Sequence, residues 1–90
     1  MITEEKLQDM LKGFISNHHY SDMIDFVGVN KKIGFSEGYI FDIEIYLKHY
    51  FHNDRTILGR LRLDLQKEIG QYLSKHNDET PISINILERH

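Results

Sequence analysis

Six histidines and a run of alternating carboxylates are the residues of this chain that invite chemistry. His18 and His19 are adjacent, with Asp22 and Asp25 close behind, and His49 and His52 precede Asp54. Imidazole nitrogens beside carboxylate oxygens form the donor set of zinc and related transition metals. The spacing weakens that reading, because adjacent residues diverge and metal motifs place two histidines on one face of one element. The expectation is therefore solvated loop histidines, with His49 hydrogen-bonded at the rim of the core and no metal site assigned.

Asp42 and Glu44 stand two apart, which on a strand separates them by about 7 Å on one face. Paired carboxylates at such a distance perform acid–base hydrolysis in some enzymes. Tyr46 and Lys48 continue the same alternation, however, and ion pairing across strands accounts for the set. No glycine-rich phosphate loop occurs and no serine stands in a nucleophile context. The chain has no cysteine, which excludes thiol catalysis, disulfides and cysteine zinc sites. The reading is a protein without catalytic activity or cofactor.

The elements that position these residues follow from periodicity. From Asp54 to Lys75, Ile57, Leu58, Leu61, Leu65, Ile69, Tyr72 and Leu73 share one arc at helical spacing. Asn53 or Asp54 can cap this long helix, Asn77 can end it in a left-handed conformation, and Pro81 lies beyond. Its internal Gly59 and Gly70 each cost roughly 1 kcal/mol relative to alanine, and could permit the close approach of another element. The charged residues of its other face, Asp64 among them, read as solvated.

A first helix is expected over Thr3 to Ser16, capped by Thr3, with Leu7, Met10, Leu11, Phe14 and Ile15 facing inward. Asn17 to Asp22 reads as a loop. Met23 to Ile33 reads as a strand of untidy alternation, in which Gly28 marks a bulge or a close approach. Gly34 and Gly38 bound a turn where they allow positive φ. Tyr39 to Phe51 is the clearest strand, with Phe41, Ile43, Ile45, Leu47 and Phe51 on one face and Asp42, Glu44, Tyr46, Lys48 and Tyr50 on the other. Pro81 to Glu88 is the last strand, with Ile82, Ile84 and Ile86 inward.

The order helix, strand, strand, helix, strand implies an antiparallel hairpin followed by a right-handed crossover to a strand parallel to the second. The expected class is α+β, a two-layer sandwich in which both helices cover one face of a three-stranded mixed sheet. Ninety residues make a single domain, residues 1–90, with one modest core. No apolar run approaches the ~20 residues of a membrane span, and the N-terminus lacks the pattern of a signal peptide, so the expected location is cytoplasmic. A net charge of −3 argues against broad binding to nucleic acid. The absence of alanine beside twelve isoleucines suggests an AT-rich genome, bacterial or viral, and a phage origin is among the expectations.

This element order resembles two families at the level of topology. One is the C-terminal cytoplasmic domain of cation-efflux transporters, which implies divalent-metal binding as one alternative. The other is the KH-like fold of small ribosome-maturation factors, which implies RNA binding or ribosome association as another. KH domains carry a Gly-x-x-Gly loop between helices, whereas Gly34-Phe35-Ser36-Glu37-Gly38 is one residue longer and lies between strands. No functional residue transfers from either family.

The uncovered sheet face is the better guide. It presents Tyr46 and Tyr50 beside Lys48, Asp42 and Glu44, with Ser83 and Asn85 nearby and Tyr39, Ile40 and Leu87 adding apolar area. Tyrosine beside polar groups is enriched at protein interfaces, and the edges of a small sheet invite pairing. The expected function is a protein–protein interaction or oligomerisation module, an adaptor or assembly subunit. Its partner is another protein or a second copy, engaged through Asp42, Glu44, Tyr46, Lys48 and Tyr50 or through the sheet edges.

Overall fold

The computed structural model describes residues 2–34, 38–48 and 55–88. Their order is α1 (Glu4–Ser16), a 3-10 turn (His19–Asp22), β1 (Ile24–Ile33), β2 (Tyr39–Leu47), α2 (Arg55–Lys75) and β3 (Ile82–Glu88). Among the described residues the strands form one mixed sheet in the order β1-β2-β3. β1 is antiparallel to β2, and β3 is parallel to it. This is the α+β order and mixed sheet that periodicity implied.

Local chemistry sets the helix ends. The Thr3 hydroxyl accepts from Lys6 N–H at 3.2 Å, and Glu4 and Glu5 occupy the first turn of α1, where the exposed N–H groups favour negative charge. α2 stops at Asn77, whose φ is 55°. Asn77 N–H then donates to Ser74 C=O at 3.0 Å and Asp78 N–H to Leu73 C=O at 2.8 Å. These two bonds satisfy carbonyls that the helix leaves open, the double closure of a Schellman motif. The start expected for α2, with Asn53 or Asp54 as cap, lies outside the described residues.

The core is where the two periods meet. Phe41, Ile43, Ile45 and Leu47 of β2 have no exposed surface. They share one apolar cluster with Leu7, Leu11 and Ile15 of α1, with Leu61, Leu65, Ile69 and Leu73 of α2, and with Val27, Val29 and Ile84 of the flanking strands. The odd-numbered side of β2 therefore carries the core.

Four details depart from the expectations. The untidy alternation of β1 comes from a register shift between Ile24 and Phe26, not from Gly28. The shift leaves Ile24 buried and turns Phe26 outward, 51% exposed. At Gly28 a β-carbon would sit 3.3 Å from the Phe26 ring, so the glycine accommodates a side chain lying over it. Gly34 does not have positive φ. A β-carbon there would meet Ile40 Cγ2 at 3.0 Å, so close approach, not backbone freedom, calls for glycine. Gly59 and Gly70 of α2 face open space, with nothing within 4 Å of an added β-carbon, and permit no close approach.

The fourth is Tyr20. The sequence pattern puts it in a loop, yet it has no exposed surface and its O–H donates to the Asp64 carboxylate on α2. Asp64 is half-buried, where a fully solvated position is expected. Burial, and then the hydrogen bond and charge of Asp64, push the Tyr20 phenol up to about 12, with Arg60 pulling the other way. At the far end of α2, Asp78 accepts from Thr80 N–H at 2.9 Å and from Ile2 N–H at 3.2 Å. It accepts from the Thr80 hydroxyl as well, and these bonds, with that one first, hold its carboxyl below the usual range.

Two predictions follow from this packing. Gly59→Ala and Gly70→Ala will each raise unfolding stability by about 0.5–1 kcal/mol in urea titration, because the methyl group meets nothing and helix propensity improves. A loss of stability at either would mean that the site is filled. For Tyr20, a phenol whose pKa is raised on folding keeps its proton where the unfolded chain, with pKa about 10, has lost it. Its contribution is complete below pH about 10 and declines as pH rises toward 12. Tyr20→Phe will cost about 1 kcal/mol at neutral pH and will reduce the alkaline decline measured by urea unfolding. An identical decline in both proteins would refute the assignment.

Candidate interaction face

The even-numbered side of β2 is built by register. Cross-strand partners place Lys32 beside Ile40, Asn30 and Ser83 beside Asp42, Gly28 and Asn85 beside Glu44, and Phe26 and Leu87 beside Tyr46. The face divides into a polar half and an apolar end.

In the polar half, Asp42 is only 6% exposed although it points away from the core. Lys32 Nζ lies 2.7 Å from Asp42 Oδ2, and Asn85 donates its amide to Asp42 Oδ1 at 2.8 Å. One carboxylate thus links all three strands. The hydrogen bond and charge of Asp42 raise the Lys32 ammonium above its ordinary pKa. Tyr46 donates its hydroxyl to Glu44 Oε2 at 2.8 Å, and that bond raises the phenol. The two carboxylates, whose spacing alone would fit an acid–base pair, are therefore each engaged laterally, Asp42 by Lys32 and Asn85 and Glu44 by Tyr46. Cross-strand pairing does account for Asp42, with Lys32 as its ion partner and not Lys48.

At the apolar end, Phe26, Tyr46 and Leu87 form a row with one residue from each strand. The Phe26 and Tyr46 ring centroids are 5.8 Å apart, tilted by 50°. Phe26 is 51% and Leu87 37% exposed. Lys48 is half-exposed just past β2, tied to the sheet by its N–H to Met23 C=O at 3.0 Å.

Of the five residues expected to make contact, Tyr46, Glu44 and Lys48 present surface, Asp42 is largely covered, and Tyr50 lies outside the described residues. Tyr39 does not join the face. It pairs with Ile33 on the odd-numbered side, with Lys31 Nζ 5.1 Å from its ring centroid. Phe26 takes the place that sequence gave to Tyr39. Only the cross-strand partner of Tyr46 could have identified it, because the register shift conceals its orientation.

The sheet edges are partly occupied. Gly34 N–H donates to Gly38 C=O at 2.7 Å, so even residues of β1 bond inward to β2 and Val27, Val29, Lys31 and Ile33 direct their backbone groups outward. Phe41 N–H donates to Pro81 C=O at 2.9 Å, which likewise turns Ile82, Ile84 and Ile86 to the outer edge of β3. Gln8 of α1 donates to Val27 C=O at 3.2 Å, and Arg62 of α2 to Ile84 C=O at 2.7 Å. Side chains from both helices thus occupy edge carbonyls that a pairing strand would need. Arg62, one of the charged residues of α2 expected to be solvated, serves this purpose.

Among the described residues, no three His, Cys, Asp or Glu side chains converge as a metal set would. His18 Nδ1 lies 2.8 Å from Phe14 C=O, and its ring packs on Phe14 with centroids 4.1 Å apart. His49, His52 and Asp54 lie outside the described residues. No described helix is long and apolar enough to cross a membrane. No protein-family model, curated protein or solved structure matches the chain.

The Asp42 linkage makes a prediction about stability. Asp42→Ala will lower it by about 1–2 kcal/mol, since Lys32 and Asn85 lose their common acceptor. Asp42→Asn will cost less, because an amide oxygen still accepts from Asn85. Urea midpoints unchanged in both variants would show that the linkage contributes nothing.

Proposed function

We propose that this protein is a non-catalytic association module, an adaptor or assembly subunit, and that its contact surface is the even-numbered side of the sheet. The observation that carries this reading is the row Phe26, Tyr46 and Leu87. Three large side chains from three strands lie side by side and remain accessible, at the end of a face whose other half is polar and internally paired. Aromatic anchors within a polar surround are the composition of a protein interface.

The same geometry favours the face over the edges. Gln8 and Arg62 already occupy an outward carbonyl on each outer strand, and Lys31 stands among the outward positions of β1, where a charged residue discourages strand addition. Exposed Leu63 on α2 is isolated, and such single residues are ordinary.

The test places a photo-crosslinking benzoylphenylalanine at position 26 or at position 63 in the expressing cell. Position 26 will give discrete protein adducts that position 63 does not. No adduct from position 26, or the same adducts from both positions, would overturn the proposal.

A further inference from the structure

The even-numbered positions Asp42, Glu44 and Tyr46 of β2 are followed just past the strand by Lys48, acids before the tyrosine and a base after it. We infer that the partner on this face is a second copy of the chain, packed sheet to sheet about a two-fold axis that crosses the strands over Tyr46. The inference rests on the association reading above and names its occupant.

The pattern is self-complementary about one residue. A two-fold axis across the strand direction at Tyr46 brings each residue opposite the one equally far on the other side. Lys48 then faces Glu44 of the second copy, and Glu44 faces Lys48, as an isologous contact requires. The same axis runs along the row that register defines, so Phe26, Tyr46 and Leu87 meet their counterparts. An axis parallel to the strands would instead set Glu44 against Glu44, a like-charge contact. Among the described residues Lys48 makes no ion pair, and Glu44, whose charge is also felt by Lys32, is hydrogen-bonded to the Tyr46 hydroxyl through one of its two oxygens. Both charges are therefore available to the second copy. Asp42 is already neutralised by Lys32, so the face brings no further net acid to the contact.

The row is short, and a contact built on it belongs to the small, weak class of interfaces. Association is accordingly expected to appear as concentration rises.

Sedimentation equilibrium from about 10 μM to about 1 mM will give a mass rising from monomer to dimer. A mass fixed at the monomer throughout would overturn the inference, whereas discrete crosslinks from position 26 to a different protein would leave the association reading standing. Lys48→Glu and Glu44→Lys will each weaken self-association by about tenfold or more, because each puts two like-charged pairs across the axis. An equimolar mixture of the two variants will restore dimerisation, since every cross-axis pair is then of opposite sign. A mixture no better than its components would overturn the two-fold arrangement. As an independent measure, Leu87→Cys in this cysteine-free chain will be linked to its copy by a short bis-maleimide, and Leu63→Cys will not. Equal linkage at both positions would also overturn it.

Discussion

The structure depends on one match of periods. β2 sends Phe41, Ile43, Ile45 and Leu47 to one side at every second residue, all without exposed surface. The helices meet them with residues repeating every four, Leu7, Leu11 and Ile15 from α1 and Leu61, Leu65, Ile69 and Leu73 from α2. Removing this apolar surface from water is the main force available to so short a chain. It fixes where the helices lie, and by fixing α2 it returns β3 to the side of β2 away from β1. The antiparallel pair on one flank and the parallel pair on the other are consequences of that placement.

Polar side chains then join the elements that the core brings together. Tyr20 spans from the turn after α1 to Asp64 on α2, and Asp78 holds Thr80 and the N-terminal Ile2 at the end of the same helix. Gln8 and Arg62 extend from the two helices to the outer carbonyls of β1 and β3. A three-stranded sheet exposes two edges, a liability when strands pair easily. Here each helix both covers core and occupies part of an edge.

Among the described residues the even-numbered side has no such cover, and its two halves differ in kind. Lys32, Asp42 and Asn85 satisfy one another across the three strands, so these three groups are closed to new polar contacts, while Glu44 of the same half keeps one carboxylate oxygen open. Phe26, Tyr46 and Leu87 retain accessible surface because no described side chain packs over them. The register shift near Asp25 creates this difference, since without it Phe26 would share the inward side of Ile24. One irregularity in an outer strand thus determines whether the face carries an aromatic pair.

The sequence by itself determined the elements and their order. Periods of two and of nearly four are local properties, and Thr3, Asn77 and the isoleucines of β3 carry them within a few residues. It also determined that Tyr46, Glu44 and Lys48 alternate away from Phe41, Ile43 and Ile45, since adjacent strand residues must point to opposite sides. The tertiary structure decided what depends on distant partners. Tyr20 is buried because α2 brings Asp64 to it from 44 residues away, and no local pattern distinguishes such a tyrosine from one in a solvated loop. Asp42 is covered because Lys32 and Asn85 flank it from separate strands. Phe26 faces outward because one bulge resets its side, whereas Tyr39 falls with Phe41 on the odd-numbered side by the alternation of β2 itself. Register is settled when strands meet, and a single strand's sequence does not contain it.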